Sequence, residues 1–196
     1  MYDKYVKDIV DLYDKEQDEY DELEKKELPH EKEHEEEDKI AKKYDKLILD
    51  INKKYNIIFR YDLVDAWGVQ ISTLVITNDK KDNVWCVYNN EDQKEELENS
   101  YFTVDSNKVL NVISKYEEKL HNVKNIETHE QVEDGYFNNF YFNINGDIYT
   151  FNLDNLGVWN DKITEDTKLF LDLISDIREV LIKDVKNLDR CLTIGY

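Results

Sequence analysis

Apolar residues recur through the first 27 positions with the period of a helix. Plotted at about 100° per residue, Tyr2, Tyr5, Val6, Ile9, Leu12, Tyr13, Tyr20 and Leu23 gather on one face. Asp11, Asp14, Asp18 and Asp21 form a row on the opposite face, with Asp3 and Glu22 beside them. The three- and four-residue steps of that row correspond to rises of about 4.5–6 Å. Glu16 intrudes on the apolar stripe, which predicts loose or solvent-open packing there. Pro29 then interrupts the pattern. Proline suits the first turn of a helix, and Glu31 and Glu33 behind it favour that helix's positive N-terminal end. A second helix is expected to about Tyr55, with Ile40, Ala41, Tyr44, Leu47, Ile48 and Ile51 on its apolar face. Two helices meeting near residues 28–30 predict an antiparallel hairpin, with one long helix broken at Pro29 as the alternative. The first half of this arm has too little apolar surface for an independent domain. It is expected to lean on the rest of the chain, a second copy or a partner.

From residue 56 the period changes to two. Residues 56–61 (NIIFRY) and 69–77 (VQISTLVIT) read as strands, the second joined through a polar turn at 78–83 to a strand at 84–88 (VWCVY). An acidic loop, 91–99, leads to a short strand at 101–104. Asp105 or Ser106 is a candidate N-cap for a helix to about Leu120, with Val109, Leu110, Val112, Ile113 and Tyr116 at its apolar positions. Asn145-Gly146 between strands 138–144 and 147–153 is a type I′ hairpin signal. A last amphipathic helix is expected from about Thr164 to Val185. The expected fold is α+β: an acidic two-helix hairpin over residues 1–55, then, over 56–196, a small antiparallel sheet of about 5–6 strands packed on one face with two helices. No internal repeat is evident.

Charge changes this picture more than length does. The 196 residues are 40% hydrophobic and 12% aromatic, which excludes disorder throughout. No apolar run approaches the roughly 20 residues a membrane helix needs, and the acidic N-terminus lacks the features of a signal peptide. Two cysteines, Cys86 and Cys191, form no disulfide framework, so a reducing cytoplasm is the expected compartment. Forty-five acids against 26 bases give a net charge of −19. That disfavours direct contact with nucleic acid or anionic lipid, both of which select Lys and Arg. A basic protein partner is favoured, because opposite fields speed encounter.

Candidate chemistry is sparse. Residues 30–34 read His-Glu-Lys-Glu-His, the H-E-x-x-H pattern of zinc peptidases, in which two His ligands lie one helical turn apart and the Glu acts as base. The surroundings argue against a peptidase: Lys32 and Glu33 stand between the histidines, and residues 35–38 are all acidic. A weak divalent-metal site on His30 and His34 is a lesser alternative to two solvated side chains. His121 and His129 have no metal-site spacing. There is no phosphate-cradling glycine loop and no G-x-S-x-G, and only Arg60, Arg178 and Arg190 are available to clamp an anionic substrate. Neither an enzymatic activity nor a cofactor is expected. Trp67 and Trp159, each close to a glycine at an element's end, are candidate partner anchors, with core packing as the commoner role.

These features favour a non-enzymatic inhibitor that presents carboxylate rows to the basic cleft of a nucleic-acid-acting protein. Asp11, Asp14, Asp18, Asp21 and Glu22, with Glu31, Glu35 and Asp38 on the second helix, would replace phosphates there. In design, this resembles phage-encoded antagonists such as anti-CRISPR proteins and DNA mimics. The likeness rests on the acidic runs of about the first 50 residues and implies action by occupying a surface. The Lys-, Asn- and Tyr-rich usage suits an AT-rich phage or bacterial genome. Other readings are an immunity protein that neutralises a toxin through its α+β body, and an oligomerising structural protein whose arm pairs with a second copy, a homodimer included. A zinc hydrolase ranks last.

Overall fold

The computed structural model describes residues 2–65, 70–78, 83–88, 98–123, 136–154, 165–185, 188 and 192. The chain divides into two compact units, Met1–Asn56 and Ile57–Tyr196.

The first unit is a helical hairpin. Helix α1 (Tyr2–Glu24) and helix α2 (His30–Lys54) run antiparallel, since Asp8 meets Lys54 while Glu19 meets Lys43. A single interrupted helix is thereby excluded. Pro29 occupies the N-cap position of α2, one residue before the helical turn expected for it, and its carbonyl accepts from the backbone N–H groups of Lys32 and Glu33. Tyr5, Ile9, Leu12 and Leu23 of α1 are buried, as the stripe predicts. On α2 the seam is thinner than expected. Only Tyr44 and Asn52 are buried within the helix, with Tyr55 at its C-cap, and Leu47 is 37% exposed. Polar contacts make up the difference: the Tyr5 hydroxyl donates to Asn52 Oδ1 at 3.0 Å, and the Tyr5 and Tyr55 rings meet edge-on at 5.4 Å.

The second unit is an α+β fold on a six-stranded antiparallel sheet of order β4-β3-β2-β1-β5-β6. Its strands are β1 (Ile57–Asp65), β2 (Gln70–Thr77), β3 (Asn83–Tyr88), β4 (Glu98–Thr103), β5 (Tyr136–Ile144) and β6 (Asp147–Asp154). Helices α3 (Ser106–Ser114), α4 (Glu117–Asn122) and α5 (Glu165–Leu181) complete it. Side chains alternate across a strand, so Phe59, Tyr61, Phe140 and Phe142 line one face. They form an aromatic ladder that reaches α5 through Phe170, 5.4 Å from Phe140 and 4.8 Å from Phe151 between ring centroids. Val109, Val112 and Ile113 of α3 join this core, as do Leu173, Ile174 and Ile177 of α5 and, beyond it, Val185, Leu188 and Leu192.

Three features depart from expectation. First, β1 continues four residues past Tyr61, because Asp62 is not a solvated break. It accepts from Arg60 Nε at 2.7 Å and from the Thr73 hydroxyl of β2. Second, this triad lies on the face opposite the aromatic ladder. Arg60, Asp62, Thr73, Val75 and Tyr141 are all buried there, so the centre of the sheet is withdrawn from water on both faces rather than one. Third, the helix expected to run to Leu120 divides in two. The backbone N–H groups of Lys115 and Tyr116 bond three residues back, to Val112 and Ile113, and Leu120 N–H bonds to the Tyr116 carbonyl as the next turn begins. The Tyr116 hydroxyl donates to Asp176 of α5 at 2.8 Å, a tertiary tie at the break. Between the two caps the sequence proposed for α3, Asp105 is the one used, accepting from Asn107 N–H. The Asn145-Gly146 turn has positive φ at both residues (54° and 105°), as type I′ requires.

Candidate functional site

The acidic arm is built by two opposed uses of carboxylates. On the inner edge, Asp8 accepts from Lys54 Nζ and from the Tyr55 hydroxyl at 2.8 Å. Three helical turns away, Glu19 accepts from Lys43 Nζ and from the Tyr44 hydroxyl at 2.9 Å. The two clamps are copies of one another. Acid follows acid, and Lys-Tyr follows Lys-Tyr, at the same eleven-residue step, which on an α-helix returns a residue to nearly the same face. Hydrogen bonds from Lys54 and then Tyr55 hold the Asp8 carboxyl below its usual range, and those from Lys43 and Tyr44 do the same for Glu19.

Between the clamps sits the intruding acid. Glu16 is half-buried, and its carboxyl is pushed up by burial first, then by Asp45 and Glu19. Tyr20, a turn further, is likewise pushed up by burial and then by Glu16, Glu37, Asp45 and Asp38.

The outer face is different. Asp11, Asp14, Asp18, Asp21 and Glu22 are all exposed on α1, and Glu31, Glu35 and Asp38 are exposed on α2. Some of these are partly answered within the chain. Glu22 pairs with Lys25 at 2.6 Å, Asp38 with Lys42 at 3.5 Å, and Asp21 accepts from Gln17 at 2.8 Å. Asp11, Asp14 and Asp18 enter no ion pair among the described residues. Val10, 47% exposed, borders the row, one residue before Asp11 on the same helix. Asp11 to Asp21 thus forms a charged strip about 15 Å long, at 1.5 Å per residue.

The arm does not hold most of the charge. Residues 1–56 contain 19 acids and 12 bases, an excess of seven, so the larger part of the −19 resides in 57–196. There, an open groove of about 700 Å³ runs between α4 and the start of α5. Glu118, Glu165, Asp166 and Asp172 line it, against Lys119 and Lys168. Lys168 is itself paired with Asp172 at 3.4 Å. Burial, the bond to Asp176 and the Asp172 charge push the nearby Tyr116 hydroxyl up to about 12. This groove has no counterpart in the sequence reading, since its acids come from helices about 45 positions apart. The acidic loop expected over 91–99 lies outside the described residues except for Glu98 and Asn99, which begin β4.

Of the remaining candidates, Trp67 and Trp159 lie outside the described residues, as do Cys191 and His129. Cys86 falls in mid-β3, where a strand was expected. Arg60 is committed to Asp62 in the sheet. His30 and His34 stand on the exposed first turns of α2 with their Nε2 atoms 3.3 Å apart, and His34 Nδ1 lies 2.8 Å from the Glu37 carboxylate. Among the described residues, no group of three or more His, Cys, Asp or Glu side chains is placed to hold a metal ion. None of the described helices is long and apolar enough to cross a membrane.

No family model matches the chain, and neither a curated protein nor a solved structure matches it.

Proposed function

We propose that this protein is a non-enzymatic acidic inhibitor that docks on the basic surface of a nucleic-acid-acting protein and blocks it, in the manner of anti-CRISPR proteins and DNA mimics of phage or mobile-element origin. The observation that carries the reading is the division of labour among the arm's acids. Asp8 and Glu19 are spent on the clamps that close the hairpin, whereas Asp11, Asp14, Asp18 and Asp21 are turned outward. A clamped hairpin holds that strip as a fixed row, so little ordering entropy remains to be lost on binding. Lys and Arg side chains that bind phosphates bind carboxylates in the same geometry. The reaction needed is occupation of a surface, so neither a metal nor a cofactor enters it.

The test is affinity capture by the immobilised full chain from cells of its source. The expected partner is basic, is released by raised salt, and is displaced by duplex DNA. A captured protein that survives both washes would remove the electrostatic premise.

A second reading is supported by the groove between α4 and α5. An immunity protein that neutralises a basic toxin would make contact through the α+β unit, where Glu118, Glu165 and Asp166 line an acidic groove. Charge reversal at those three residues, with the arm intact, separates the two readings by which substitution set abolishes capture.

A further inference from the structure

We propose that His30 and His34, oriented by Glu37, form a surface site for a divalent transition metal of zinc type. Three observations carry this. The first is distance. The two Nε2 atoms are 3.3 Å apart, and two imidazoles bound to one tetrahedral ion at about 2.0–2.1 Å place their nitrogens about 3.3–3.4 Å apart. The second is tautomer. His34 Nδ1 stands 2.8 Å from Glu37 Oε2, and a carboxylate only accepts, so Nδ1 carries the proton. In the neutral ring the lone pair of His34 is then on Nε2, the atom that lies 3.3 Å from His30 Nε2. A carboxylate behind the ligating ring is the arrangement that fixes and strengthens metal-bound histidines. The third is helical phase. His30, His34 and Glu37 follow one another at steps of four and three on α2, so the ligands and the orienting acid share one face and need no rearrangement.

Opposing effects act at the same turn. The positive end of the α2 dipole disfavours a cation, and it is answered by Glu31, Glu33, Glu35 and Glu37 within the first eight residues of the helix. The alternative to a metal is a shared proton, in which His30 Nε2–H donates to His34 Nε2. The metal would replace that proton. The site supplies two ligands, so its remaining positions are taken by water. It is independent of the inhibitor reading.

The experiment titrates Zn²⁺ into the full chain while the histidine ring resonances are followed by NMR. The chain has four histidines, so the pattern is diagnostic. The rings of His30 and His34 are expected to shift together and saturate near one equivalent, while His121 and His129 do not move. Glu37→Gln is expected to weaken Zn²⁺ binding about 10-fold or more, and the His30→Ala/His34→Ala double variant to abolish it. Far-UV circular dichroism verifies that each variant keeps its helices, as exposed positions should. Equal binding by the double variant would show that scattered carboxylates take up the zinc, and would overturn the site. Ring signals unmoved by Zn²⁺ would leave only the shared proton, and would overturn it as well. Binding unaltered in Glu37→Gln would refute the orienting role.

Discussion

The buried ion pair on β1 offers the sharpest test of how the sheet is held. Arg60 and Asp62 have side chains 5% and 12% exposed, joined at 2.7 Å, with the Thr73 hydroxyl completing the carboxylate's bonds. Removing one partner of such a pair leaves an uncompensated buried charge and costs about 3–5 kcal/mol. Asp62→Asn preserves shape and a hydrogen-bond acceptor but removes the negative charge that faces the buried guanidinium. Arg60→Met removes the positive charge that faces the buried carboxylate instead. Each alone should therefore cost about 3–5 kcal/mol, a large part of the 5–15 kcal/mol typical of a folded domain. Removing both charges should behave differently, because two desolvation penalties disappear together. With Thr73→Val added, because that hydroxyl loses Asp62 as an acceptor, the Arg60→Met/Asp62→Leu pair is expected to lie within about 1 kcal/mol of wild type, or above it. Urea unfolding followed by tryptophan fluorescence suits the purpose, since Trp67, Trp85 and Trp159 all belong to the α+β unit. Single variants costing under about 1 kcal/mol would mean that the pair behaves as a solvent-screened one. A triple variant worse than both singles would mean that the network is needed as a unit.

Other outcomes follow from the same structure. Phe170→Ala removes a fully buried ring that touches both Phe140 and Phe151, and should cost about 3–5 kcal/mol in the same assay. Gly146→Ala forces an L side chain to φ 105° although open space surrounds it, so a cost of about 1–3 kcal/mol should appear as strain alone. The arm should show pH dependence of two signs. Glu16 has its carboxyl raised in the fold, so its contribution is present below its ordinary value near 4.5 and is lost as pH rises through the raised one. Glu16→Gln should therefore stabilise the hairpin at pH 7 and not below about pH 4, with an equal gain at both contradicting the assignment. Asp8 is lowered, so its contribution is present above its ordinary value near 3.8 and is lost as pH falls through the lowered one. Asp8→Asn should accordingly weaken the hairpin at pH 7 and lose its effect in strong acid, as read by thermal melts of helical signal.

The hairpin, the α+β class and the Asn145-Gly146 turn were legible because each rests on a local rule: a helical stripe, a period of two, and a turn demanding positive φ. The outward aspartates were legible for the same reason, as a helix's polar face is set by phase alone. The clamps were not. Asp8 and Glu19 resemble their neighbours in the sequence, and only the antiparallel register brings each to a Lys-Tyr pair. The eleven-residue recurrence of Lys43-Tyr44 and Lys54-Tyr55 was the available signal. The strand expected over 56–61 runs on to Asp65, and Asp62 gave no sign of this because Thr73 meets it by strand pairing rather than by adjacency. The break at Lys115 and Tyr116 escaped because the apolar phase is unchanged through it. The feature found at the break is a tertiary bond to Asp176, which no local sequence rule reveals.

The central claim, that the outward strip of α1 meets a basic surface, is tested most directly by binding kinetics of the captured partner to wild type and to the Asp11→Asn/Asp14→Asn/Asp18→Asn/Asp21→Asn variant across a salt series. Four neutral isosteres leave the clamps and the hairpin intact. Association of the variant is expected to slow at least about 10-fold at low salt, with the salt dependence largely flattened. A variant that binds with the rate, affinity and salt slope of wild type would contradict it, and would move the contact to the acidic groove of the α+β unit.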